Sequence, residues 1–188
     1  MDDETYAQLS GLGRLMRAAA VSGPAGARPV EIWDPPYCGD IGLAIQRDGT
    51  WTYQGSPITR TAIVKLFSSI LRKDADGRTY LVTPAEKVDV KVEDAPFLAV
   101  EMVVEGSGRE QVLTFRTNVD DVVTADREHP LRFERQESSG GLKPYVLVRG
   151  RLEALLTRAV YSELAELVEE REDGSAGVWS GGEWWGMA

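Results

Sequence analysis

The chain has 188 residues, 43% of them hydrophobic and 27% charged, with 21 Lys and Arg against 30 Asp and Glu for a formal net charge of −9. That length allows one large domain or two small ones, and the composition supplies a packed core. The acidic balance argues against a nucleic-acid polymer or an anionic membrane surface as partner, because both require clustered Lys and Arg.

The opening Met1-Asp2-Asp3-Glu4 is acidic where a secretory signal would be basic, and no stretch approaches the roughly 20 apolar residues of a membrane span. A cytoplasmic protein is expected. Tyr6, Leu9, Leu12, Leu15 and Met16 recur at helical spacing despite Gly11 and Gly13, which predicts an N-terminal amphipathic helix. Ser22-Gly23-Pro24-Ala25-Gly26 reads as a linker, and Pro35-Pro36 breaks regular structure. Cys38 stands alone, so an intrachain disulfide and a Cys-rich metal site are excluded, and the thiol reads as inert.

Leu43-Ala44-Ile45 and Trp51-Thr52-Tyr53 flank Asp48-Gly49, a hairpin signal. Ile63, Leu66, Phe67, Ile70 and Leu71 form one stripe and predict a helix from about Thr61 to Arg72. Asp74-Ala75-Asp76-Gly77 turns the chain into Tyr80-Leu81-Val82. Val88, Val90 and Val92 alternate with charged residues and predict a strand with one wet face. Leu98 to Val104 and Val112 to Thr117 pair across Gly106-Ser107-Gly108. After a polar stretch beyond Asn118 come Leu131-Arg132-Phe133, a turn over Ser138 to Gly141, a strand from Tyr145 to Val148, and a helix from about Arg158 to Glu170. Trp184 and Trp185 read as a clamp on this second half. Strands and helices mix without regular alternation, so the expected class is α+β.

One phrase occurs twice. Tyr53-Gln54-Gly55 leads through Thr59-Arg60 into the first helix, and Val148-Arg149-Gly150 leads through Thr157-Arg158 into the second. The repeat predicts two tandem, related α+β units. Thr59 and Thr157 suit the N-cap, with Ser56-Pro57 as an alternative start for the first helix. Arg60 and Arg158 then fall in the first turn, where a cation opposes the helix dipole by about 0.3–1 kcal/mol. An anionic partner, a phosphate or carboxylate also met by backbone N–H groups, would explain two such placements. Ion pairs with the chain's own acids are the rival explanation, for Arg149 as well. Trp51 and Tyr53, alternating on one strand, offer either stacking faces or core. Asp120, Asp126 and His129 are the material for a hydrolase, although a solvated loop explains them more simply. The sequence carries no P-loop, dinucleotide fingerprint, His-Glu-x-x-His or Gly-x-Ser-x-Gly, so no catalytic or metal site and no cofactor is expected.

Trp51-x-Tyr53-x-Gly55-Ser56-Pro57-Ile58-x-Arg60 and Tyr80-Leu81-Val82-Thr83-Pro84-x-Glu86-Lys87 resemble hallmark segments of the bacterial family called domain of unknown function 1285. Thr117-Asn118, Glu128-His129-Pro130-Leu131 and Arg149-Gly150-x-Leu152-x-Ala154-Leu155 are similar to its later segments, so the likeness runs from about Leu43 to Leu167. The resemblance implies two related α+β units, the later one pleckstrin-homology-like, with a nucleotide-like ligand between them and a role in signalling. It places that ligand on Trp51, Tyr53, Ser56, Arg60, Thr83, Glu86, Lys87, Asn118, Arg149 and Arg158. The expected organisation is an N-terminal helix and linker over 1–27, a first unit over 28–96 and a second over 97–188. The expected function is non-catalytic binding of a small anion. A protein-interaction module using a sheet edge or groove is the alternative, and a hydrolase the third.

Overall fold

The computed structural model describes residues 12–21, 28–137 and 140–187. Tyr6 and Leu9 of the expected first helix, the 22–26 linker, and Ser138-Ser139 of the expected turn lie outside the described residues. The chain divides into two compact units, Met1–Asp94 and Ala95–Ala188, and each closes its own curled six-stranded sheet.

Unit 1 runs α1 (Leu12–Val21), a 3-10 turn (Val30–Ile32), β1 (Leu43–Ile45), β2 (Trp51–Tyr53), β3 (Ser56–Pro57), α2 (Thr61–Ser68), β4 (Leu71–Lys73), β5 (Thr79–Val82) and β6 (Lys87–Val92). The β1–β2 hairpin forms at Asp48-Gly49 as expected, with Asp48 Oδ1 accepting from Thr50 N at 2.9 Å. Gln54 and Gly55 both take positive φ, 48° and 81°, which closes the two-residue β2–β3 turn with the twist a hairpin needs. Ser56-Pro57 is therefore strand, not a helix start.

Two helix expectations need correction. Thr59 is not the cap of α2: Arg60 is, with extended backbone (φ −77°, ψ 107°) and no side-chain cap bond, so it stands before the first turn. Helix α2 also stops at Ser68, and Ile70 and Leu71 leave it although both are buried. The stripe continued through them because the turn and β4 face the same core as α2. Strand β6 departs from strict alternation as well, since Asp89 is buried beside the valines.

Unit 2 runs β7 (Phe97–Glu105), a 3-10 turn (Gly108–Glu110), β8 (Val112–Thr117), β9 (Val122–Thr124), β10 (Leu131–Arg135), β11 (Leu142–Arg149), β12 (Leu152–Leu156), α3 (Arg158–Ala165), β13 (Glu169–Glu170), β14 (Ala176–Ser180) and β15 (Glu183–Gly186). Thr157 caps α3 as expected, its Oγ1 accepting from Val160 N at 3.5 Å. The helix ends five residues short of the expected Glu170, because Glu169 and Glu170 pair with Gly177 and Ala176 in a small third sheet. Buried Ser180 ties that sheet down: its hydroxyl accepts from Leu113 N at 2.9 Å and donates to Ala125 O at 2.7 Å.

The two main sheets share one connectivity. Each is a pair of three-stranded antiparallel meanders, ordered β3-β2-β1-β6-β5-β4 in unit 1 and β9-β8-β7-β12-β11-β10 in unit 2. In each, the first strand of the first meander runs parallel to the last strand of the second, β1 with β6 and β7 with β12. Only the helix differs in position, lying between the meanders in unit 1 and after the second in unit 2. Among the described residues no helix is long and apolar enough to cross a membrane.

Candidate functional site

The β5–β6 turn shows why one carboxylate is aimed inward. Thr83 is fully buried; its Oγ1 accepts from Ala85 N at 3.3 Å and Glu86 N at 3.1 Å and donates to Glu86 O at 3.3 Å. This hydroxyl-closed turn leaves Glu86 only 4% exposed. A buried carboxylate needs a partner, and Arg14 of α1 supplies it. Arg14 Nε donates to Glu86 Oε2 at 3.0 Å and Oε1 at 3.3 Å, with Nη2 at 2.9 Å from Oε2. The Arg14 side chain is itself 67% exposed. The two residues, with Ala18, Cys38 and Ala85, line an open cleft of about 320 Å³. Arg14 and Ala18 lie one helical turn apart on the same side of α1. Cys38 reaches the cleft because its N–H donates to Lys87 O at 2.7 Å; its thiol points back to Pro36 O at 3.5 Å. The hydrogen bond to Glu86 raises the Arg14 pKa further above its ordinary value, so the guanidinium is a permanent cation.

A second network in unit 1 absorbs Lys87. Its Nζ is 3.0 Å from Asp74 Oδ2 and 4.5 Å from the centroid of the Tyr80 ring. Asp74 also takes Arg72 Nε at 2.6 Å, and buried Arg72 donates to Val30 O and Trp33 O, both at 2.7 Å. These two cations lower the Asp74 pKa against the opposing effect of its burial, the largest single influence. Arg78 stacks on Tyr37 and Tyr80 and pairs with Asp89 at 2.5 Å, and Asp89 also accepts from the Tyr37 hydroxyl. Lys87, Arg72 and Arg78 are each held by Asp74 or Asp89, with main-chain oxygens and ring faces taking up the rest, which makes the network structural.

Several residues expected at a ligand are engaged within the fold. Trp51 is 1% exposed and packs on Phe67, with ring centroids 6.0 Å apart, so it presents no face to a ligand. Asn118 acts as an extra strand residue: Oδ1 accepts from Leu98 N at 3.0 Å and its N–H donates to Leu98 O at 2.9 Å. Arg149 pairs with Asp121 at 2.5 Å and lies over Phe97, 5.0 Å from the ring centroid. Tyr53 and Ser56 are cross-strand partners, Tyr53 half-buried and Ser56 exposed. Arg60 in unit 1 and Arg158 in unit 2 are exposed. His129 Nδ1 lies 3.0 Å from Leu147 O, Asp126 Oδ1 accepts from the N–H groups of Glu128 and His129, and Asp120 pairs with Arg116. Among the described residues no three His, Cys, Asp or Glu side chains gather as a metal site requires. Sequence reasoning missed Arg14, which lies 72 positions from Glu86 and carries no local signal.

Two tandem α+β units of matching strand order, the first with an Arg–Glu cleft, define the class of protein. Residues 28–95 match the domain of unknown function DUF1285, N-terminal domain, and residues 96–187 match the protein of unknown function DUF1285, C-terminal domain. The chain belongs to the DUF1285 family. It is 48% identical to a DUF1285 family protein from Silicibacter pomeroyi DSS-3, whose crystal structure covers 92% of this chain and 93% of its own with a TM-score of 0.85. A second family protein, from Shewanella baltica OS155, is 28% identical over 66% of this chain and 91% of its own, with a TM-score of 0.52. Comparison with curated proteins gave no match.

Proposed function

We propose that this protein is a non-catalytic module that binds a small anion in the unit 1 cleft, and that occupancy of the cleft is its output. The observation that supports this reading is the Arg14–Glu86 pair, an exposed guanidinium held in place by a buried carboxylate. Glu86 contacts the Nε and Nη2 side of the fork, and the Nη1 side makes no hydrogen bond or ion pair among the described residues. A guanidinium offers five donors in a fixed plane, so one already oriented by a carboxylate loses little freedom on taking a phosphate or second carboxylate. The cleft volume is at the lower end for small-molecule sites. Unit 1 holds 11 Lys and Arg against 13 Asp and Glu, a net −2, so the attraction for an anion comes from the local guanidinium and not from the overall charge.

Calorimetric titration with inorganic phosphate and a panel of nucleoside phosphates tests the reading. Heat is expected from wild type, little from Arg14→Gln, an intermediate response from Arg14→Lys, which keeps the charge without the fork, and a wild-type response from Arg60→Ala. Loss of heat in Arg60→Ala with retention in both Arg14 variants would move the anion to the start of α2 and overturn the cleft assignment. Silence from wild type across the panel would overturn it outright.

A further inference from the structure

Unit 2 carries a different constellation on the exposed side of its small sheet. Trp179 and Trp184 are register partners on β14 and β15 and meet edge to face, with centroids 5.2 Å apart. Gly177 makes this possible: a Cβ there would come within 2.7 Å of the Trp184 ring and 2.5 Å of Trp185 O, so only glycine lets that indole lie on β14. Arg171 reaches over both rings, 4.2 Å from the Trp184 centroid and 4.9 Å from that of Trp179, and Arg109 stands 4.9 Å from Trp179. Both arginines are exposed, and neither forms an ion pair among the described residues. Yet the surroundings are acidic. Unit 2 holds 10 Lys and Arg against 17 Asp and Glu, a net −7, and exposed Glu169, Glu170 and Glu172 flank Arg171.

Indole faces attract cations by their quadrupole, Trp most strongly, and a field of like sign around them strengthens that attraction. We propose that this tryptophan shelf docks a basic segment of a partner protein. An Arg or Lys of the partner takes the ring faces that Arg171 covers, and Glu169, whose register partner Gly177 lies under the Trp184 ring, stands on the same face of the sheet to meet its neighbouring positive charge. Arg171 is then an internal stand-in for the partner's cation. It opens an exposed turn closed by Arg171 N to Ser175 O and Gly174 N to Arg171 O, both 2.9 Å, so its side chain leaves the rings without breaking a strand. This inference is independent of the unit 1 cleft and shares no residue with it.

The test follows the indole N–H signals of the full chain by nuclear magnetic resonance, assigned with Trp179→Phe and Trp184→Phe. A short Arg/Lys-rich peptide is titrated in, and an acidic peptide of equal length at equal ionic strength. The basic peptide is expected to shift Trp179 and Trp184 saturably. Arg171→Gln should tighten binding by about threefold to fivefold, the worth of one displaced cation–π contact. Arg151→Gln removes the same charge at an exposed position in the β11–β12 turn and should tighten it far less; Trp184→Leu should abolish the shift. Equal effects of the two arginine variants would reduce the binding to general electrostatics and overturn the proposal. So would absence of the indole shifts, or saturation by the acidic peptide instead. Should Trp184→Leu fail to fold, the two arginine variants decide alone, since both leave the rings in place.

Discussion

Tyr80 is almost wholly buried, yet its hydroxyl donates to the exposed Asp76 at 2.7 Å. That bond, ahead of burial, pushes the phenol from its ordinary 10 up to about 12, with the Arg78 guanidinium over the same ring opposing it. The protonated phenol is therefore the form the fold prefers. Its contribution to stability is complete below pH 10 and is lost as pH climbs from 10 to about 12. Asp76 is the converse. The Tyr80 hydroxyl, as largest cause, lowers its carboxyl below the ordinary 3.8, so its contribution is present above that value and is lost as pH falls through the lowered one. Tyr80→Phe is expected to flatten both limbs of the stability–pH curve, measured as urea midpoints across the range. An alkaline limb as steep as wild type would show that another group governs it. Residues of this kind were only half legible in the sequence. Glu86 and Lys87 stood out as charged groups at a strand break, but their partners Arg14 and Asp74 lie 72 and 13 positions away and nothing local marks them.

The two helices differ at their first residue in a way their repeated Thr-Arg phrase concealed. Helix α3 has a hydroxyl cap on Thr157; α2 begins at Arg60 with no side-chain acceptor and no acid in its first turn. Arg60→Asp places a carboxylate at a position whose backbone is already extended, and it is expected to stabilise by about 0.5–1 kcal/mol through the cap and the dipole together. Thr157→Ala is expected to cost about as much at the other helix. Chemical denaturation of both variants checks the pair; an unchanged or lowered midpoint for Arg60→Asp would mean the cation there is needed by the fold. At this scale the sequence announced the hairpins well, because Asp48-Gly49 and Gly106-Ser107-Gly108 are turn chemistry that acts locally. It hid β3, β4, β9, β12 and the whole small sheet β13–β15. Strand β13 is two acidic residues that look like the tail of a helix, and they become strand only through pairing with Gly177 and Ala176.

For the whole molecule, the duplication inferred from the phrase is real in connectivity but not in the register the phrase implied. Tyr53-Gln54-Gly55 closes the first meander of unit 1, whereas Arg149-Gly150 lies in the second meander of unit 2. What repeats along the chain is a hairpin running into a helix. What repeats in space is the six-strand order, and no short-range pattern records it. The acidity is also uneven, −2 in unit 1 and −7 in unit 2, so general electrostatic attraction for a basic partner is stronger at unit 2.

The parallel seam at the middle of each sheet has a dynamic consequence. Leu43 pairs with Val90, and Phe97 with Ala154, so each seam joins distant stretches of chain and lies between two meanders. A rim strand frays by itself, but the seam opens only when its unit comes apart. Its N–H groups should therefore trade their protons for deuterium last, at a rate that tracks global unfolding, while the two-residue β3 at the rim of unit 1 exchanges early. Amide exchange followed by mass spectrometry reads this directly, and faster labelling at β6 and β12 than at β3 and β10 would mean the sheets part along their centres instead of peeling from their rims.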